Sequence, residues 1–180
     1  TNAALDLRGV TDIEIEGNEF YNQTGVSGDD GRGLVLQDAS GVKLVCNRFH
    51  DNDAGVVLRG TTHDVSLSYN NFTNNLGDGA AVRVESTAGA NVALAQNIFR
   101  GNGSAIDNAA SNALDARRNW FGAVDGPGPV GTGDSISGNI DSAGFITRAA
   151  EPLLVRRPQN SGWASPQAAC YERVSDAVAA

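Results

Sequence analysis

The side chains best equipped for chemistry in this chain are a handful of aspartates, arginines and histidines. Asp29 and Asp30 stand side by side in GDDGRG (28–33). Neighbouring carboxylates can divide glycosidic hydrolysis between them, one protonating the leaving group while the other activates water. Asp51, Asp53 and Asp78 form a second set, with Arg59 and Arg83 a short way along the chain. Their side chains could converge on one edge as a calcium site, and an arginine near such a cluster can act as a base. His50-Asp51 and His63-Asp64 each pair an imidazole with a carboxylate, but no nucleophile motif accompanies them. Neighbours on a strand often point apart, so both histidines read as solvated. Which of these residues meet depends on the scaffold that carries them.

That scaffold is written in an Asn-x-Phe unit that recurs five times: Asn18/Phe20, Asn47/Phe49, Asn70/Phe72, Asn97/Phe99 and Asn119/Phe121. Successive asparagines are 29, 23, 27 and 22 residues apart. A unit repeating at that period marks a solenoid, whose coils bury a core only by stacking. Five and three residues before each Asn lies an apolar pair: Ile13/Ile15, Val42/Leu44, Val65/Leu67, Val92/Leu94 and Leu114/Ala116. The period of two predicts a strand with one face inward. A second stretch lies further upstream, as Leu5/Leu7, Leu34/Leu36, Val57/Leu58, Val82/Val84 and Ile106. Each repeat thus predicts two strands, an Asn turn, a Phe and a polar connection, with no room for a helix. Asn suits the turn because it tolerates left-handed backbone angles and its amide both donates and accepts. Stacked coils would align the asparagines in a ladder and the rings in an offset stack. A leucine-rich repeat would need a large aliphatic residue eight positions before each Asn. Val10, Ala39, Thr62, Gly89 and Ser111 occupy those places, and four of the five fail.

The V-x-L-x-x-N-x-F rungs resemble the parallel β-helix repeats of the pectin lyase-like superfamily. The segment NWFGAVDGPGPVGTGDSISGNID (119–141) is similar to the NWWG…GP…G closing segment of secreted and cell-surface β-helix repeat proteins. It departs in Phe121, where a second Trp is common, and in Gly144-Phe145-Ile146, where Pro-Trp-Leu is common. The resemblance covers about residues 1–147 and implies an all-β, right-handed parallel β-helix of about five coils. It also implies a secreted or cell-surface location. Two functions follow as expectations: a structural or recognition module presenting a stacked surface to glycan or to other protein subunits, or a polysaccharide lyase or glycoside hydrolase working through groove aspartates. The Asn-Thr-Asp, Gly-His-Gly and Arg-x-Lys elements of β-helix glycosidases do not occur here. That favours the module, with no cofactor beyond a possible calcium ion.

The chain has 180 residues, a net charge of −8 and a pI of about 4.6. Its negative field argues against nucleic acid, and no run is long enough for membrane insertion. Residues 4–8 (ALDLR) already read as a strand, so a longer helix before Thr1 or end-to-end self-association is expected. Residues 148–180 read as an irregular tail ending in a short helix, started by Ser165-Pro166 and carrying Cys170, Val174, Ala177 and Val178 on one stripe. A disulfide between Cys46 and Cys170 would pin that helix to the second coil. Three sequons, at Asn22, Asn71 and Asn102, fall at or beside exposed turns.

Overall fold

A computed structural model describes residues 3–25, 31–77 and 80–147. The first coil contains β1 (Ala3–Arg8), β2 (Glu14–Glu16) and β3 (Glu19–Tyr21). The second contains β4 (Arg32–Gln37), β5 (Ser40–Val45) and β6 (Arg48–His50). The third has β7 (Ala54–Arg59), β8 (His63–Ser68) and β9 (Asn71–Thr73), and the fourth β10 (Val82–Val84), β11 (Ala90–Ala95) and β12 (Ile98–Arg100). The fifth has β13 (Ile106–Asn108) and β14 (Leu114–Asp115), and a partial sixth adds β15 (Ile136–Gly138) and β16 (Ile140–Asp141). Equivalent strands pair in parallel into three sheets: β1-β4-β7-β10-β13-β15, β2-β5-β8-β11-β14-β16 and β3-β6-β9-β12.

Each of the first four coils therefore has three strands where the sequence predicted two. The third is the Asn-x-Phe segment itself: Phe20, Phe49, Phe72 and Phe99 are in register at the centres of three-residue strands. A strand with one inward residue has no alternation to read. The first sheet also corrects the phase of one pair. Val56 and Leu58, in register with Leu34 and Leu36, face the core, and Val57 faces outward with Val35. Three consecutive apolar residues had hidden that phase.

The inward side chains form one continuous core. Rings of Phe20, Phe49, Phe72, Phe99 and Phe121 stack at centroid separations of 4.8, 5.0, 5.0 and 5.4 Å, within 9° of parallel. Phe49, Phe72, Phe99 and Phe121 are fully buried. Beside them, Asn47 donates both its backbone N–H (2.9 Å) and its amide (3.1 Å) to Asn70 Oδ1. Asn70 donates in the same way to Asn97, and Asn97 to Asn119. Each amide also donates to a backbone carbonyl of the preceding coil, Asn70 to Leu44 and Asn97 to Leu67. The left-handed residue is the one before each Asn, namely Gly17, Cys46, Tyr69, Gln96 and Arg118. The ladder fixes the asparagine, so its predecessor must turn the corner.

The tail helix, Cys170 and the whole of segment 148–180 lie outside the described residues.

Replacing Asn70 with Ala would leave the Asn47 N–H and the Leu44 carbonyl unsatisfied in the core. At about 1–3 kcal/mol for each orphaned group, Asn70→Ala should cost about 3–5 kcal/mol. Its neighbour Asn71 is half-buried on the outside, and Asn71→Ala should cost under about 1 kcal/mol. Urea titration of both variants measures the difference; equal losses would contradict the ladder's importance.

Candidate functional site on the outer faces

A barrel of this kind does chemistry, or binds, with side chains that alternate outward. On the first sheet the outward column runs Asp6, Val35, Val57, Arg83, Asp107 and Ser137. Arg8, Gln37 and Arg59 form a second column beside it. Arg59 Nε donates to Gln37 Oε1 at 3.1 Å, and its guanidinium lies 3.9 Å from Asp6. Asp6 is held below the usual carboxylate range, chiefly by its hydrogen bond from Arg8. Ser137 Oγ donates to Asp107. Two sequence candidates, Arg59 and Arg83, thus share this face.

The two described aspartate candidates, Asp51 and Asp53, do not gather around them. Asp51 lies at the corner after the third sheet, where His50 Nδ1 sits 2.6 Å from its carboxylate and holds it below the usual range. His50 is more enclosed than its sequence suggested: its Nε2 lies 3.1 Å from Glu19, its ring stacks on Tyr21 at 5.4 Å, and Arg48 bonds the same Glu19 at 2.9 Å. His63 is half exposed beside Asp64, which also accepts from Asn91. Asp53 has a different job. Its Oδ2 accepts the Gly25 N–H at 2.7 Å, and its own N–H donates to the carbonyls of Gln23 and Gly31. Gly31 has a φ of 81°, and a Cβ there would collide with the Asp53 side chain. Asp29, Asp30 and Asp78 lie outside the described residues. Among the described residues no group of three His, Cys, Asp or Glu is arranged to hold a metal, and no helix is long and apolar enough to cross a membrane.

A second amide ladder escaped the sequence reading. Gln23 N–H donates to Asn52, Asn52 to Asn75, Asn75 to Asn102, and Asn102 to Asp134 Oδ2, with both backbone (2.9 Å) and amide (2.7 Å) donors in the last step. Its signal was present as N-x-F-x-x-N, five residues after the first ladder, hidden among turns already rich in Asn. Asn102 is consequently buried with its amide engaged, while Gly101 and Gly103 on either side of it are exposed. Cys46 occupies a left-handed corner of the second coil, and Cys170, its suggested partner, lies outside the described residues.

Three parallel sheets wound around stacked rings and two amide ladders define a parallel β-solenoid. The family model described as "Right handed beta helix region" matches residues 1–121, and the chain belongs to that family. The pectin lyase-like resemblance is consistent with this. Comparison with curated proteins and with solved structures gave no match.

Outward carboxylates also set a pH response. Asp38 is held low chiefly by the Thr61 N–H, Asp64 by Asn91, Asp115 by Arg117 and Asp125 by the Thr132 N–H. A depressed carboxylate stabilises the fold above its unfolded value, here 3.8, and that contribution is lost as pH falls through the lower folded value. The melting temperature should therefore hold down to about pH 4 and decline below it. Circular dichroism melts across that range measure this, and an unchanged Tm under strong acid would contradict it.

Proposed function

We propose that this domain is a structural and recognition module, secreted or held at a cell surface, that presents its stacked outer faces to glycan or to other protein subunits. One observation carries the reading: among the described residues, the ladder amides and the corner aspartates Asp51, Asp53 and Asp134 are engaged by the barrel itself. The ladder amides bond the next coil, Asp51 is engaged by His50, and Asp53 and Asp134 tie backbone to backbone. What remains outward is a rigid array of side chains at the coil spacing of about 4.8 Å. On the second sheet it runs Glu14, Lys43, Ser66, Ala93, Asp115 and Asp141. A rigid array matches a repeating partner with little ordering cost on binding. Hydrolysis would instead need two carboxylates free to serve one groove, and elimination a base beside carboxylates that hold a cation.

A glycan array run with and without calcium, alongside light scattering over a range of concentrations, tests the reading. The expected outcome is calcium-independent binding to a glycan class, or reversible self-association, without shortening of any polysaccharide. New reducing ends or unsaturated products that vanish in an Asp51→Asn/Asp53→Asn variant would establish the enzyme instead.

A further inference from the structure

Asn102 is the one asparagine of this chain that is followed by glycine. That dipeptide is the most labile setting for the residue, because glycine is flexible and has no β-carbon to shield its nitrogen. The glycine nitrogen can attack the side-chain Cγ and close a five-membered imide. Nδ2 leaves as ammonia, taking the proton that the glycine nitrogen gives up. Water then opens either C–N bond of the ring, leaving aspartate or its β-linked isomer. Water is the only reagent consumed, so the reaction needs only that the two groups be free to meet. The fold withholds that freedom. Asn102 is 8 % exposed, and one residue of the preceding coil, Asn75, holds both reacting groups. Its carbonyl accepts the Gly103 N–H at 3.0 Å, while its N–H and amide donate to Asn102 Oδ1 at 3.0 and 2.8 Å. The leaving nitrogen is held as well, donating to the Phe72 carbonyl at 3.0 Å and to Asp134 Oδ2 at 2.7 Å. The glycine itself is not required by the fold. Its backbone is not left-handed, and an added Cβ would meet nothing closer than 3.8 Å.

We propose that Asn102 is a deamidation site, held unreactive by the second ladder while the barrel is wound, whose conversion in an opened chain bars reclosure. This goes beyond the module reading, because it sets how long the barrel lasts whatever its outer faces bind. Conversion replaces the Nδ2 donor with a carboxylate oxygen. That oxygen faces the Phe72 carbonyl and the Asp134 carboxylate, three acceptors with no proton among them. Two carboxylates at that separation repel, and acceptors left buried without donors oppose folding. The same rung ties the Gly101 and Asn102 N–H groups to Asp134, at 3.0 and 2.9 Å. Asp134 in turn donates its N–H to the Phe121 carbonyl, so the segment after Phe121 loses its anchor with the rung. The β-linked isomer adds a carbon to the backbone and disturbs the coil's register as well.

The test holds the full chain at mildly alkaline pH, in native buffer and in urea, and follows Asn102 by peptide mass spectrometry. Conversion should be slower in the folded protein by a factor of about ten or more, since only transient opening frees the two groups. Equal rates would overturn the proposal. A partly converted pool from urea is then refolded, and native barrels are isolated by size and checked by circular dichroism. Converted Asn102 should be depleted about tenfold or more in the native fraction relative to the pool. The same proportion in both fractions would overturn the proposal, and this reading needs no variant to fold. Gly103→Ala, which the surrounding space accommodates, should convert several-fold more slowly in urea and keep its refolding yield over the same period. A Gly103→Ala chain that loses refolding competence as fast as the parent would show that the lesion lies elsewhere, and the proposal would fail.

Discussion

The structure depends on one side-chain amide used in two directions at once. Each ladder asparagine from the second coil onward accepts from the coil before it through Oδ1, and its Nδ2 donates to the coil after it or to a backbone carbonyl. The corner carbonyls and N–H groups of a parallel solenoid would otherwise be buried without partners, because the strands turn away from one another there. An orphaned group of that kind costs about 1–3 kcal/mol. The two ladders remove that cost at two of the three corners. They also fix the left-handed residue before each Asn, a conformation that is unfavourable by about 1–2 kcal/mol outside glycine. Cys46, Tyr69, Gln96 and Arg118 are therefore held in a strained backbone by their neighbours' hydrogen bonds.

The rings work alongside the amides. A face-to-face column at about 5 Å spacing is possible because parallel strands place equivalent residues directly over one another at nearly that distance. Gly33 and Gly55 come close against the column, and a Cβ at Gly55 would lie 3.0 Å from the Phe72 ring. Small residues on the first sheet thus make room for large ones on the third. The core's width is set between those two sheets.

The first ladder and most inward pairs were legible because each repeats a fixed chemistry at a fixed offset. What escaped notice did so for particular reasons. The Asn-x-Phe strand has a single inward residue, so it looked like a turn. Val56-Val57-Leu58 gave no phase until its register with Leu34 and Leu36 was seen. Asn52, Asn75 and Asn102 sat in polar connections where asparagine is ordinary, and Asp134 lies 32 residues from the Asn102 it serves. Placement of the candidate site was legible only in part. Arg59 and Arg83 do share a face, but Asp51 engages His50, the neighbour that strand alternation would point away from it, and Asp53 engages Gly25, 28 residues earlier.

Asp134 has a consequence for how such a barrel can change size. Along the second ladder every bond from one ladder side chain to the next points the same way, toward the later coil, so each rung needs an acceptor from its successor and offers one to its predecessor. An asparagine passes that pattern on, whereas a carboxylate receives protons and has none to give. Whole coils between Asn52 and Asn102 are interchangeable units that duplication or deletion could add or remove without disturbing the polarity. The acid acts as a full stop, fixing the end of the cylinder while leaving its length free to vary.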